Sequence, residues 1–432
     1  MTITAAVIRP AAPAVAVAPV VTARWVAGLF LICVLFQRFA GPGGMLLLPL
    51  VLLWTVAALR FKIVEIDRNR FVFYCVTLVL TGLLMPVQMI FVPAPIISVG
   101  SWALVMATWL PFVTRLIDRD IETYRLALGK VVQIGYVLAV NAIFMMVIQL
   151  LGVRYSDWPR DILPPGTLVR GYATTYPIVY GSPIYKANGW IGLEPAVMSV
   201  QLGMCLVAAV FLHRAVWKVL MITVALFCTV AGSGILIAAV GLFAMLFRRR
   251  RGVMRATGTA LGIGAVGVMF TPFGQTFLDR ATEINRPTTS TSLRVVDPYV
   301  ELWPRWIVDS VTPLLGLGPG SSQREVKGSG TLGLLVPNPA KIFFDYGLIV
   351  GLVLAAFLIY VHLDSPSPSL SFTFFFSLWT VQASTTSMVL AANVLIVATL
   401  WSPRPGLPLD DIPASADPDP PRPRSPAAEV PP

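Results

Sequence analysis

Residues 131–151 read VVQIGYVLAVNAIFMMVIQLL, an apolar run with no charged residue in it. As a helix rising 1.5 Å per residue it spans about 30 Å, the thickness of a bilayer's hydrocarbon core. Similar runs recur on both sides. Spans are predicted near residues 24–40, 45–59, 71–92, 96–114, 127–151, 194–212, 216–231, 233–247, 253–270, 342–361, 369–385 and 388–401. Composition agrees, since the 432 residues are 56% hydrophobic and only 12% charged, with a mean hydropathy of +0.78. Soluble globular proteins carry roughly 25% charged residues. The chain reads as an all-α polytopic membrane protein with about twelve transmembrane helices in a single transmembrane domain, residues 23–401. Residues 1–22 are rich in Ala, Pro and Val, and the prolines interrupt any signal-peptide core. They read as a disordered cytoplasmic N-terminus, and the Pro-rich residues 402–432 as a disordered cytoplasmic tail.

The formal net charge of +11 is not a nucleic-acid signal, because much of the excess sits in short loops where positive charge fixes topology. Arg60, Lys62, Arg68 and Arg70 lie between the second and third spans, and Arg115, Arg119, Arg125 and Lys130 between the fourth and fifth. Arg214 and Lys218 follow the sixth span, and Arg248 to Arg251 with Arg255 follow the eighth. These alternate loops face one side, which the positive-inside rule makes the cytoplasm, with both chain ends on it. The pattern reads as a multi-pass membrane protein with both termini cytoplasmic. Cys33, Cys75, Cys205 and Cys228 all fall in apolar runs and read as small buried hydrophobes, not a disulfide framework. The two histidines, His213 and His362, fall at span ends on the cytoplasmic side, so no histidine-based metal site is expected in the outer loops. No metal or cofactor is called for.

Two long loops, 152–193 and 271–341, then lie outside the cytoplasm, where neither ATP nor sugar nucleotides are available. The larger carries Arg280, Arg286, Arg294, Arg305, Arg324, Lys327 and Lys341 against Asp279, Glu283, Asp297, Glu301, Asp309 and Glu325, so it is nearly neutral. Any anion site in it must come from the placement of a few arginines. Val295 to Ser310 reads as a helix broken or begun at Pro298, with Val300, Trp303 and Ile307 on one face, suited to the membrane interface. Arg294 then stands just above the bilayer, where a guanidinium can hold a pair of phosphate oxygens. The run from Pro313 to Gly320 is turn-rich, and its amides can line a pocket. In the smaller loop, Glu194 precedes Pro195 at a helix start, where a carboxylate compensates the dipole or serves as a general base. Within the spans, Gln88, Gln133, Asn141, Gln149, Gln201 and Gln382 are placed to hydrogen-bond between helices, and Arg38 sits at the outer end of the first span. No buried acidic relay of the kind found in proton-coupled transporters is visible.

Three segments together resemble the O-antigen ligase and Wzy-type polysaccharide polymerase family. Lys186-x-Asn188-Gly189 followed by Glu194-Pro195 is similar to that family's R-x-N-G-x-x-x-E-P approach to a span. Ser292-x-Arg294 with the later Pro313 to Gly320 is similar to its S-x-R and P-L-x-G-x-G run. Lys341 to Gly351 is similar to its span after the large loop, and the tight Gly232-Ser233-Gly234 hairpin also fits. The resemblance covers roughly spans five to twelve. It implies a C-type glycosyltransferase-like architecture that acts without metal on sugars carried by undecaprenyl pyrophosphate. A lysine stands where the family has arginine, one extra residue precedes Glu194, and Val336-Pro337-Asn338-Pro339 lacks the histidine that ligase members carry there. That absence moves the expectation from ligase to polymerase.

Carried onto this chain, the resemblance implies that Arg294 binds the pyrophosphate, helped by Lys186, Arg170 or Arg305. Glu194 is the expected proton acceptor and Asp297 the second carboxylate candidate. Tyr172, Tyr176, Tyr180, Tyr185 and Trp190 are expected either to stack on sugar faces or to anchor the loop at the interface. The implied partners are an undecaprenyl-pyrophosphate-linked oligosaccharide, membrane lipid, a chain-length regulator and a flippase, with no nucleic acid. Two alternatives stand beside this reading. One is a ligase that moves finished glycan onto a lipid or protein acceptor. The other is a transporter or flippase with no chemistry.

Overall fold

A computed structural model describes residues 18–41, 44–169, 174–178, 181–212, 214–246, 258, 262, 292–331, 334–381 and 387–402. Among the described residues the structure is mostly helical, 71%. The helices are α1 Pro19–Phe36, α2 Leu47–Arg60, α3 Arg68–Phe91, α4 Val99–Trp109, α5 Ile121–Leu150, α6 Trp158–Ile162, α7 Pro195–Phe211, α8 Val216–Cys228 and α9 Gly232–Leu246. After the large loop begins come α10 Ser292–Val295, α11 Asp297–Trp306, α12 Thr312–Leu315, α13 Ser321–Gly328, α14 Asn338–His362, α15 Pro368–Phe376 and α16 Met388–Val397. By length and composition α1, α3, α5 and α14 can cross a membrane, and six shorter apolar helices accompany them. Each expected span that falls on described residues overlaps a helix, though only these four are long enough to cross a membrane. The one near 253–270 lies almost wholly outside the described residues, as do most of 1–22 and 402–432.

Local chemistry sets the helix ends. Asp67 caps α3 by accepting from the Asn69 and Arg70 amides, both at 3.0 Å. Ser98 and Ser367 cap α4 and α15 the same way, and α7 starts on Pro195. Phe71, Val72, Val76, Val79 and Leu83 on α3 stay exposed, as do Val137, Val140, Phe144 and Val147 on α5. In water such apolar stripes are costly; against lipid tails they are the required surface. Two helices sit inside the bundle. From Val197 to Val210 every residue of α7 is buried, and so is every residue of α16. Small residues let α7 and α9 touch: a Cβ on Gly234 would stand 1.9 Å from the Ser199 carbonyl oxygen, and one on Gly203 would stand 2.3 Å from that of Gly234.

Contacts sort the loops into two ends. Val64–Ile66 pairs antiparallel with Thr114–Leu116, joining two of the basic loops. The Arg70 guanidinium donates to the carbonyls of Thr114, Thr399 and Ser402. Tyr124 at the start of α5 donates to Val397 and packs edge-on against Trp401. These two arginine-bearing connections therefore share one end with Ser402, the last described residue. At the opposite end, Phe39 bridges Leu168 in the smaller long loop. There the Ile96 and Ser98 amides donate to Leu317 and Pro319 in the larger one.

The large loop is held down by a break in α14. Gly347 leaves helical geometry (φ 66°, ψ −180°), and residues 313–320 fill the gap. The Leu317 and Gly318 amides donate to the Phe344 and Asp345 carbonyls that the break releases, and Gln88 Nε2 donates to the carbonyls of Leu315 and Asp345. A Cβ on Gly347 would lie 2.3 Å from the Leu314 carbonyl oxygen, and one on Gly316 would lie 2.4 Å from the Gly347 nitrogen, so both positions need glycine. The amides expected to line a pocket are thus spent on the chain itself. A small second core of Val92, Leu302, Leu317, Val326, Leu334, Val336, Ala340 and Phe344 lies under this loop.

Three other expectations change. Lys341, counted among the outer cations, is 1% exposed and pairs at 2.8 Å with Asp345, one turn on and 0% exposed. A buried acid therefore exists in the bundle, but its carboxylate is saturated by Lys341, the Gly320 and Ser322 amides and the Ser321 hydroxyl. The helix expected over Val295 to Ser310, broken or begun at Pro298, starts at Asp297 with Pro298 in its first turn but ends short, at Trp306. The cysteines are all free, with Cys33 and Cys205 buried but Cys75 and Cys228 only partly so. Gln88 and Gln149 bond across elements as expected, whereas both amide atoms of Gln201 are buried without a partner.

Candidate functional site

The smaller long loop is tied to α1 by a buried ion pair. One Arg38 nitrogen donates to both Asp157 oxygens, at 2.8 and 2.7 Å, and the other donates to the Trp190 carbonyl at 2.5 Å. Thr174 Oγ1 adds a third bond to Asp157 at 2.6 Å. Arg38 and Asp157 are 5% and 7% exposed. At such burial a charge persists only when paired and hydrogen-bonded. Residues 176–178 then pair with 184–186, with the Lys186 amide on the Tyr176 carbonyl, Ile178 on Ile184, and Pro177 bridging Tyr185. Gln149 of α5 holds this hairpin through both its amide atoms, accepting from the Tyr185 nitrogen and donating to the Tyr185 oxygen.

This hairpin seals Lys186. The residue is 7% exposed and its ammonium stands 5.6 Å from the centre of the Tyr176 ring. The chain then turns through Asn188, Gly189 and Trp190. Asn188 is fully buried: it donates to the Thr174 carbonyl and accepts from the Trp190 amide and the Tyr155 hydroxyl. Gly189 and Trp190 both have positive φ, 61° and 55°. For Trp190 the left-handed conformation costs about 1–2 kcal/mol. It persists because the Trp190 amide, carbonyl and indole nitrogen are all bonded, the last to the Ser156 carbonyl. Backbone strain fixed this firmly is concentrated at functional sites. Four residues on, Glu194 is the N-cap of α7, half-buried, and does not cap the helix through its side chain.

Of the expected aromatics, Tyr185 and Trp190 share a ring cluster with Tyr155, which stacks on Trp190 at 6.4 Å and tilts against Tyr185 at 5.4 Å. Burial, then the Asp157 carboxylate, pushes the Tyr155 hydroxyl up to about 12, so it stays a donor at neutral pH. Tyr176 lies under Lys186. Tyr172, Tyr180 and Arg170 lie outside the described residues.

In the large loop, the backbone of Arg294 belongs to α10, and its side chain is outside the described residues. Ser292 donates to Asp297 across the break between α10 and α11. Arg305 is half-exposed and paired with Glu325 within the same loop. Val300, Trp303 and Ile307 form an exposed apolar face on and just past α11, as an interfacial helix requires. The structure therefore gathers Lys186, Tyr185, Trp190 and Glu194 in one loop, and Arg294, Asp297 and Arg305 in the other. The convergence expected of Arg294 with Lys186 and Glu194 turns on the Arg294 side chain, which falls outside what is described. The pairing of Arg38 with Asp157, the buried bonding of Asn188 and the place of Tyr155 escaped the sequence reading. The Asn-Gly pair and the lone arginine at a span end were the available signals. Among the described residues no group of three His, Cys, Asp or Glu could hold a metal. Comparison with protein-family models gives no match, and comparison with curated proteins gives none either.

Proposed function

We propose that this chain polymerises oligosaccharide repeats carried on undecaprenyl pyrophosphate, at the outer face of a bacterial inner membrane. It would do so as a twelve-span, C-type glycosyltransferase-like protein with its basic end and both termini in the cytoplasm. The observation that carries the reading is the clamped, left-handed turn at Gly189 and Trp190. It stands at the end opposite the basic loops, between a sealed cation, Lys186, and a half-buried carboxylate, Glu194, at a helix head. An activated sugar pyrophosphate needs no nucleotide, which suits a site on that face.

In this reading Glu194 takes the proton from the acceptor hydroxyl as its oxygen attacks the anomeric carbon. The bond from that carbon to the pyrophosphate oxygen breaks, and the configuration inverts. Arg294, with Lys186, Arg170 and Arg305, stabilises the negative charge that develops on the departing lipid pyrophosphate. A cation held out of water, as Lys186 is, acts more strongly on that charge than an exposed one. Tyr185 and Trp190 orient the sugar, and Asp297 holds Ser292 beside Arg294. A chain-length regulator and a flippase are the partners this activity calls for.

Arg294→Ala tests the proposal in cells. Polymer should be lost while single lipid-linked repeats persist. Unchanged polymer length, in a protein that still inserts, would refute it. Intact but unattached polymer would indicate a ligase instead.

A further inference from the structure

A cavity of about 550 Å³ opens beside the Arg38–Asp157 pair, and nothing in the reaction scheme above uses it. Its size falls within the ~300–1,000 Å³ usual for ligand sites. The floor is buried: Arg38, Asp157, Thr174 and Leu193. The rim is exposed: Arg160, Pro164, Pro165 and Gly166. Leu193 of the floor is the residue before Glu194, so the floor lies next to the start of α7 in the chain.

The floor's chemistry narrows the occupant. Arg38 is neutralised by Asp157, so the buried part carries no net charge and would repel neither sign strongly. Its hydrogen-bonding capacity is only partly used. The guanidinium has five N–H donors, and its bonds go to Asp157 and the Trp190 carbonyl alone, leaving donors over. Asp157 Oδ1 accepts one bond to the two on Oδ2, and Thr174 Oγ1, which donates, keeps its lone pairs. Donors and acceptors therefore alternate on one rigid surface. A hydroxyl, which gives one proton and accepts at its lone pairs, fits that alternation; a phosphate, acceptor only, would meet the carboxylate. Prolines and Leu193 supply the apolar walls against which the C–H faces of a sugar ring pack.

We infer that this cavity binds an uncharged sugar residue, and that this is the acceptor end of the glycan, held with a hydroxyl toward Glu194. The role as acceptor subsite rests on the polymerase reading; the binding of a neutral sugar does not. The full chain in lipid nanodiscs is titrated with free glucose, galactose, mannose, N-acetylglucosamine and rhamnose, read by saturation-transfer NMR. At least one should bind. Thr174→Val keeps the shape and the ion pair but removes a hydroxyl, and should weaken that binding about fivefold. Pro165→Trp on the exposed rim should block it, and covers the case in which the floor variant folds poorly. No binding by any of the five, or equal binding by all three proteins, overturns the inference. So does tighter binding of glucuronate or inorganic phosphate, which would make the exposed Arg160 the determinant. If polymer length depends on Arg294 and the sugars do not bind, the cavity assignment alone fails. If Arg294→Ala leaves polymer unchanged, the polymerase reading fails whatever the titration gives.

Discussion

Replacing Asp345 should damage this protein more than replacing its partner Lys341, and the hydrogen bonds say why. Oδ2 of Asp345 accepts from the Gly320 amide at 2.9 Å and from Lys341 at 2.8 Å. Oδ1 accepts from the Ser321 hydroxyl at 3.0 Å and the Ser322 amide at 2.9 Å. Asp345→Asn turns one of these oxygens into an NH2 group facing two donors, and it strands the Lys341 ammonium at 1% exposure. Breaking a buried pair from one side costs about 3–5 kcal/mol. Lys341→Met leaves the carboxylate with three donors and fills the space of the lysine stem, so about 1–3 kcal/mol is expected. The double variant should be milder than Asp345→Asn alone, because no charge is then stranded. The assay is the apparent melting temperature of detergent-purified protein, followed by fluorescence-detected size exclusion. At about 2 °C per kcal/mol for a long chain, Asp345→Asn should lower it by roughly 6–10 °C and Lys341→Met by roughly 2–6 °C. A lysine variant at least as damaged as the asparagine variant would refute the reasoning, as would no shift in either.

Further outcomes follow for the two long loops. Arg38→Met leaves Asp157 with Thr174 as its one donor and frees the Trp190 carbonyl. A local loss of about 3–5 kcal/mol should raise amide exchange in residues 157–169 and 186–194 at least a hundredfold, with the centre of α5 unchanged. Arg38→Lys should restore only part of the protection, since one ammonium nitrogen cannot hold the Asp157 carboxylate and the Trp190 carbonyl as the two guanidinium nitrogens do; full protection in the methionine variant would contradict the clamp. In the large loop, the Thr312 amide first, then the Thr312 hydroxyl and the Val311 amide, hold the Asp309 carboxyl below the ordinary carboxylate range despite its exposure. A lowered folded pKa means the capping bonds contribute fully above about pH 4 and fade as pH falls through the folded value. Exchange in residues 311–315, corrected for intrinsic rates, should therefore accelerate below pH 4 and lose that pH dependence in Asp309→Asn. An identical profile in the variant would remove Asp309 from the account.

The helices were legible because each expected span is a mostly apolar run with charges only near its ends, and hydrophobicity at bilayer length leaves few other structures open. Sorting of loops by charge was legible for a related reason: Arg60 to Arg70 and Arg115 to Arg119 lie in short loops, where position in sequence fixes position in space. What escaped were long-range polar contacts. Arg38 was visible as an arginine at a span end, yet its partner Asp157 lies 119 residues away and had no sequence signal. Lys341 looked like one more loop cation because the helix beginning at Asn338 starts earlier than hydropathy alone suggests. The glycines of residues 316–320 announced a turn, but not that the turn would plug a break at Gly347 in a distant helix. The segments Lys186 to Glu194 and Ser292 to Arg294 were picked out by residue type. Whether their side chains converge is a matter of packing that periodicity does not encode.

The central claim is chemical, and it is tested most directly by giving the purified protein its proposed substrate. Full-length protein is reconstituted in lipid vesicles with one undecaprenyl-pyrophosphate-linked oligosaccharide repeat and nothing else, and the products are resolved by size. The account predicts a ladder of longer lipid-linked glycans with release of undecaprenyl pyrophosphate, abolished by Arg294→Ala and by Glu194→Gln. Repeats that cross the bilayer without lengthening, or lengthening that survives both substitutions, would contradict it.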